Sequence, residues 1–556
     1  MRAMRLSLLA GLTFAAGAFI LGAPAGAQVA PLTGQVSSAE EGAMEGVLVS
    51  ARRDGASVTV TVVTDKEGRY GFPSGRLEPG HYSLRVRAVG YDLDAPAGAD
   101  VTANAGASID LKLRKTEDLA SQLSNGEWLA SVPGTDQQKI GLLNCMGCHT
   151  LERIVKSRYG ADDFMQVLPR MQGYVNQSIP AHPQLRRAER LREERGDQRV
   201  EVHRKLAEYL ATINLSTRPQ WDYALKTLPR PTGRATRVVI TEYDLGRETI
   251  EPHDVIVDND GIAWYSSFGE PFLGRLDPKS GKVTEFPLPE LKPDFPTGSL
   301  GLRTDPAGNL WLGMMYQGGI AKFDPKTEKL KTWSLPPAVN IAAAQVNMVS
   351  PQHSDVDGKV WTQNNGFAGI HRLDLASGAI ETFEPFRSAP KGEAHNIYDV
   401  IPDSKNNAYF TDFRQRHIGR IDAKTGEIRL YAAPTAASAP RRGTMDANDR
   451  LWFAEYRANR IAMFDTRREE FKEWPMPTPW TAPYDVVLDK NGEAWTGSMS
   501  TDRVVRLDPA TGSTVEYLLP HETNIRRVFV DNSTNPVTFW VGSNHGAAVV
   551  RLEPLD

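Results

Sequence analysis

Asp258-Asn259-Asp260-Gly261-Ile262-Ala263-Trp264-Tyr265-Ser266-Ser267 is the stretch whose recurrence decides the fold. An Asp-rich turn closing on glycine, then a short apolar run, has the form of a tight hairpin between two strands. The aromatic returns as Trp311, Trp361, Tyr409, Trp452, Trp495 and Trp540, at intervals of 47, 50, 48, 43, 43 and 45 residues. Similar turns stand at Asp305-Pro306-Ala307-Gly308 and Asp489-Lys490-Asn491-Gly492. An apolar strand ending in Asp follows each aromatic, as in Leu273-Gly274-Arg275-Leu276-Asp277 and Ile418-Gly419-Arg420-Ile421-Asp422, and leads into an outer strand such as Val283-Thr284-Glu285-Phe286-Pro287. Four short strands at this period predict propeller blades, and seven aromatics predict seven of them over residues 236–556. The last unit lacks an outer strand after Val549-Val550-Arg551-Leu552, and Arg237 to Tyr243 is expected to supply it, closing the ring without a free edge.

Ahead of the repeats lie two further segments and a leader. Residues 31–115 hold short strands at Leu48 to Ala51, Val58 to Val63, Arg69 to Phe72 and Tyr82 to Val86, with turns at Asp65-Lys66-Glu67-Gly68 and Glu78-Pro79-Gly80. That spacing predicts a small antiparallel β-sandwich. Gly34-Gln35-Val36, Asp65 to Tyr70, Leu77 to Tyr82 and Val89-Gly90-Tyr91 together resemble the carboxypeptidase regulatory-like domain. The resemblance implies a spacer or docking module, and no catalytic group is evident there. At the start of the chain, basic Met1 to Arg5, an apolar run from Leu6 to Leu21 and small Ala25-Gly26-Ala27 form a signal peptide over residues 1–27, cleaved near Ala27. No later stretch is long and apolar enough to span a bilayer. With 64 basic and 68 acidic residues, the net charge of −4 points to neither nucleic acid nor an anionic membrane.

Residues 123–216 carry the sharpest chemical motif, Cys145-Met146-Gly147-Cys148-His149, which contains the only two cysteines of the chain. In C-x-x-C-H the thiols add across the haem vinyl groups and the histidine supplies an axial nitrogen. A zinc site would need a second pair of ligands, and a thioredoxin-like pair would need a βαβ surround. Helical spacing is expected over Glu127 to Leu143, Leu151 to Ser157, Ala161 to Tyr174 and Arg204 to Ile213. The segment resembles a compact cytochrome c domain, whose first and last helices cross beside the haem. Met171, ahead of a Gly173-Tyr174 bend, is the expected sixth ligand, with Met165 and His182 as competitors. The charged run from Arg186 to Arg204 reads as a solvated helix face. Haem c is attached on the exported side of the membrane, so motif and leader agree on the periplasm. The fold class is multidomain and mainly β: sandwich, α-helical cytochrome domain, seven-bladed propeller.

In a blade, the residue opening the innermost strand and the one closing the second meet at the channel mouth. The opening positions are read as His253, His395, Arg442, Tyr484 and Arg526, and the closing ones as Asp412 and Glu455. His395, Asp412 and Glu455 are expected to converge there, with room for a divalent cation. Pro252-His253-Asp254-Val255, His395-Asn396-Ile397 and Trp452-Phe453-Ala454-Glu455 resemble the blades of the virginiamycin B lyase family, over about the last 320 residues. The resemblance implies a His general base, magnesium at the developing enolate, and opening of a lactone by elimination. Arg441-Arg442 and Tyr484 stand where that family would place further histidines.

Two functions follow. In one, the chain is a periplasmic electron-transfer protein or oxidoreductase, with its propeller binding a small-molecule substrate or redox partner. In the other it is a lyase with an accessory cytochrome. An elimination needs no electrons, so the haem motif favours the first. A quinone cofactor is disfavoured by seven blades and no spare cysteine, and a pure recognition scaffold predicts a haem that no small molecule reduces.

Overall fold

The computed structural model describes residues 32–102, 106–187, 196–216, 218–390 and 392–556. The leader expected over residues 1–27, with its cleavage point, lies outside them, as does part of the charged run after Arg186.

Six four-stranded sheets follow one another from Pro252–Val257 to Thr514–Leu518. Every repeat aromatic lies on the second strand of its sheet, from Trp264 in Ala263–Ser267 to Trp540 in Thr538–Ser543. The turn before it is held by its aspartate. Asp258 Oδ1 accepts from the Asp260 and Ile262 amides at 3.0 Å, while Oδ2 accepts from Trp264 Nε1 at 2.7 Å. The same indole bond, six residues on, joins Trp311 to Asp305, Trp452 to Asp446 and Trp495 to Asp489. One carboxylate thus shapes the hairpin and orients the large core side chain beside it. Innermost strands touch in cyclic order, and the seventh meets the first.

The seventh blade closes as the repeats require. Val238–Asp244 pairs antiparallel with Ala548–Pro554, from Val238↔Pro554 to Asp244↔Ala548. Its other edge is not free: it pairs with Val58–Val63, so the blade continues into the sheet of the N-terminal sandwich. The strand that locks the ring also welds on the first domain. The sandwich departs from the expected antiparallel arrangement, because Leu32–Ser38 runs parallel to Leu111–Lys115 in a mixed sheet.

The helical region is built from α1 (Asn125–Ser131), α2 (Asp136–Leu142), α3 (Glu152–Val155), α4 (Ala161–Gln172) and α5 (Gly196–Ile213). The single helix expected over Glu127 to Leu143 is two, because Pro133 and Gly134 (φ +123°) break it. Each half restarts from its own capping box, Ser124 with Glu127 and Thr135 with Gln138. The last helix packs chiefly along α4, and reaches the turn between α1 and α2 through Tyr209 Oη donating to the Pro133 carbonyl at 3.0 Å. The expected crossing of first and last helices is replaced by this α4–α5 pair. No helix of the described residues is long and apolar enough to cross a membrane.

Asp489→Ala removes both the turn's acceptor and the indole's partner. It is expected to cost about 1–3 kcal/mol, read as a lower midpoint in urea unfolding, whereas Asp260→Ala, exposed in the first turn, should change little.

Candidate functional site at the propeller mouth

The channel axis is filled by charge. The innermost segment of each blade contributes one polar side chain: Asp254, Asp399, Arg442, Asp485 and Arg527 two residues before the partner of the repeat aromatic, and Arg303 and Ser350 directly opposite it. Three pairs form across or beside the axis. Arg442 grips Asp254 with two bonds of 2.6 and 2.8 Å, Arg303 grips Asp399 with bonds of 2.7 and 2.8 Å, and Arg527 lies 3.3 Å from Asp485. Burial alone would raise the Asp254 carboxyl, but the Arg442 guanidinium holds it well below the ordinary carboxylate range. The plug is neutral in sum.

One residue before the axial group in five of the blades lies the mouth. Register shifts between Pro252 and Val255, Ile397 and Val400, and Pro440 and Gly443 free both residues of each pair to face the channel. The mouth residues are therefore His253, Tyr398, Arg441, Tyr484 and Arg526. Two expected positions are corrected: Arg442 belongs to the axis and Arg441 to the mouth, and blade four presents Tyr398 while His395 lies three residues outward. These groups form a directed chain. Arg441 Nη2 donates to Tyr398 Oη at 3.2 Å, the Tyr398 and Tyr484 hydroxyls bond each other, and Tyr484 Oη lies 3.2 Å from His253 Nε2. His253 Nδ1 donates to Asp254 Oδ1 at 2.8 Å. Burial drives the His253 imidazole down to about 3, so it is neutral, with its proton on Nδ1 facing the carboxylate. Arg441 stacks on four rings, nearest to Tyr484 at 3.8 Å.

Outside this chain, His395 Nδ1 bonds Asp412 Oδ2 at 2.6 Å, its ring stacks on Phe386 at 3.8 Å, and its buried Nε2 has no hydrogen-bond partner. Glu455 does not join them. Burial pushes its carboxyl up to about 8, and the neighbouring charges are Glu473 and Arg460. Among the described residues no group of three or more His, Cys, Asp or Glu side chains is placed to hold a metal ion, so the expected cation position between His395, Asp412 and Glu455 is not assembled.

The helical region sits on the mouth. Gly126 N donates to the Ser500 carbonyl at 2.6 Å, Asn524 Nδ2 to the Met146 carbonyl at 3.2 Å, and Arg526 Nη2 to the Gly147 carbonyl at 2.6 Å. Trp128, Leu129 and Met146 share one apolar cluster with Phe268, Tyr316, Tyr484 and Met499 of the propeller. His253 and Tyr484 are consequently sealed, at 0% and 1% exposure. Under the Cys-x-x-Cys-His segment lies Glu251, fully buried with both carboxylate oxygens unpartnered. A Cβ at Gly269 would come within 2.6 Å of its Oε2. Burial raises Glu251 to about 8 and lowers His545, whose two ring nitrogens are also without partners, to about 3.

Above the mouth, the helices line a half-open cavity of about 1240 Å³. This exceeds the roughly 300–1,000 Å³ of ordinary small-ligand pockets. Cys145, Cys148, His149 and Met171 all line it, as do Phe164 and Leu168. Both cysteines are free thiols. His149 Nδ1 bonds the Thr150 carbonyl at 2.8 Å, so that nitrogen carries the proton and Nε2 keeps its lone pair. Burial lowers the His149 pKa, favouring the neutral ring. Thiols, free imidazole nitrogen and apolar walls fit a covalently held haem. Met171 lies in the last turn of α4, not in a loop, and is 38% exposed. Met165 packs into the apolar cluster, and His182 lies beside Gly269; neither is on the cavity wall. His203 is on that wall, and the sequence reading missed it by starting the last helix at Arg204, eight residues late. The stripe His203, Leu206, Leu210, Ile213 carried the signal.

Arg442→Met leaves Asp254 buried without a counter-charge and is expected to cost about 3–5 kcal/mol in unfolding free energy. The carboxyls fix a pH dependence. Between its ordinary 4.5 and about 8, folded Glu251 holds a proton that the unfolded chain releases, so stability falls as pH rises through that interval. His253 and His545 act oppositely, but only below their ordinary 6.5. From about pH 6.5 to about pH 8 unfolding free energy should therefore decline, less steeply in Glu251→Gln; a flat profile contradicts this.

Comparison with known proteins agrees with the two β regions. Residues 31–114 match the carboxypeptidase regulatory-like domain and residues 391–555 the virginiamycin B lyase family; the helical segment lies outside both ranges. No curated protein matches the chain. Similar solved structures include a selenomethionine-substituted virginiamycin B lyase from Staphylococcus aureus, at 22% identity and a TM-score of 0.48, covering 57% of this chain and 99% of that one. A streptogramin B lyase shares 22% identity with a TM-score of 0.49, over 58% and 99%. U3-55K shares 10% with a TM-score of 0.43, over 56% and 98%. The chain carries an N-terminal carboxypeptidase regulatory-like domain and a virginiamycin B lyase-like propeller domain, with a helical region between them in sequence.

Proposed function

We propose that the chain is an exported, periplasmic c-type haem protein that accepts or relays electrons, with the propeller binding a redox partner or small-molecule substrate. The observation that carries this reading is the shared cavity wall: two free thiols and an imidazole with an open Nε2 face one apolar space. Haem c, when bound, supplies a one-electron couple tuned by its axial ligands and surroundings. The chain's own residues do the rest. Cys145 and Cys148 would hold the group through their sulfurs and His149 would bind its iron, and Met171, the sulfur expected from the sequence, lines the same cavity. Phe164 and Leu168 give the cavity wall apolar surface. Arg526 and Asn524 hold the carbonyls of Gly147 and Met146, tying the motif to the propeller mouth.

The family match over residues 391–555 and the Asp412–His395 pair favour a second reading, a lyase that opens a lactone ring by elimination. An imidazole oriented at Nδ1 by a carboxylate, with Nε2 free of hydrogen bonds and Glu393 Oε1 3.7 Å away, is the geometry of a general base. The helical region covering the mouth weighs against it.

One experiment separates them. Exported from a host that matures haem c, the protein should retain one haem by mass after acid-acetone extraction, show a c-type reduced spectrum, and lose both on Cys145→Ala with Cys148→Ala. Quinupristin, which is bound in a solved structure of a catalytically inactive S. aureus virginiamycin B lyase, should stay intact. Ring opening that His395→Ala abolishes, in protein without covalent iron, would establish the lyase instead.

A further inference from the structure

We propose that the rim of the propeller mouth at blades four and five binds a small, planar organic carboxylate, gripped by Arg414 and Arg457 with the Arg441 charge beside them. The inference rests on the reading above only for the propeller's binding role, and names the class of small molecule that this role takes. Its starting point is a pair of dipeptides at one place in the repeat. Five residues after the repeat aromatic, blade four has Arg414 and blade five has Arg457, each preceded by a ring, Phe413 and Tyr456. The other blades hold Gly269, Tyr316, Gly366, Ser500 and His545 at that position. The Phe413 and Tyr456 rings lie 5.6 Å apart. Two guanidiniums meet on the first: the Arg441 and Arg457 carbons stand 4.9 and 5.6 Å from the Phe413 centroid, and Arg441 is 4.5 Å from that of Tyr456.

These three cations have no counter-charge. Among the described residues no carboxylate lies within ion-pair distance of any of them. The nearby acids are engaged elsewhere. Asp412 accepts from His395 at 2.6 Å and from the Asn396 and Arg414 amides at 3.0 and 3.2 Å, while Glu455 has Glu473 and Arg460 as its charged neighbours. Burial, then the charges of Arg414 and Arg441, disfavour the Arg457 cation, and no carboxylate offsets them. In a chain of net charge −4, arginines gathered without partners in a half-buried place are stabilised when an anion joins them. The lid leaves this side accessible. Hydrogen bonds from the helical region reach blades one, two, three, six and seven, and among the described residues none reaches blade four or five. Phe413, Arg441 and Arg457 are accordingly half-buried and Arg414 is exposed, whereas His253 and Tyr484 are sealed. A planar guanidinium fork matches a carboxylate with two parallel bonds, and the rings beside it offer flat apolar surface to a conjugated body. Stacking and the bond to Tyr398 Oη already fix Arg441, so little ordering is left for binding to do.

The test is calorimetric titration of the exported, full-length protein with benzoate, set against benzamide as its uncharged isostere. Benzoate should fill a single saturable site, weaken as salt is added and raise the unfolding temperature, and benzamide should do none of these. Arg414→Gln with Arg457→Gln should weaken benzoate by at least about tenfold. Arg429→Gln, on the outer strand of blade four, should leave its affinity unchanged. Should the double variant not fold, Arg414→Gln alone, at an exposed position, carries the comparison. Failure of benzoate to bind, equal binding of benzamide, or wild-type affinity in the arginine variants overturns the site. Haem content is read by absorbance on the same preparation. Benzoate bound by protein without haem keeps the site and removes the haem reading, and haem-bearing protein that ignores benzoate does the reverse.

Discussion

Three arginines facing three aspartates along the propeller axis are the constraint on which the rest depends. Asp254, Asp399 and Asp485 balance Arg303, Arg442 and Arg527 in a nearly dry space, so no single side chain can change without stranding a charge. The plug leaves no room for a ligand to thread the channel. It also orients what lies above it: ionised Asp254 fixes the proton of His253 on Nδ1, and His253 then receives Tyr484, Tyr398 and Arg441 in turn.

On that platform the helical region is seated as a lid. The contact is mixed, with an apolar cluster around Trp128 and Met146 and polar bonds onto the backbone of the Cys-x-x-Cys-His segment. In this chain the helical region covers the mouth, and the cavity lies among its helices. Buried groups without partners gather at the junction, Glu251 and His545 among them. The proposed electron-transfer role places a redox group close to polar side chains sealed from water, where any change in its charge is weakly screened.

Much of the fold was legible because its signals are local and repeated. An aspartate turn and an indole six residues later make the same bond in blade after blade, so period alone gave the blade count and the closing strand. Residues whose roles depend on side-chain direction were less legible. Arg441 and Arg442 are adjacent and identical, yet one stacks on tyrosines and the other pairs with Asp254, because a register shift turns them apart. His395 looked like a mouth residue from its place before a strand, although Tyr398 fills that position.

By itself the sequence determined the toroid, the sandwich ahead of it and the Cys-x-x-Cys-His segment, since periodicity, turns and short motifs are properties of neighbouring residues. Only the tertiary structure decided that one strand, Val238–Asp244, joins ring and sandwich through its two edges. It also decided that the lid closes the mouth, and that His203 stands with His149 on one wall. These are relations between groups about 50 to nearly 400 residues apart, set by which apolar surfaces and which unpaired polar atoms find each other on folding, and no local pattern records them.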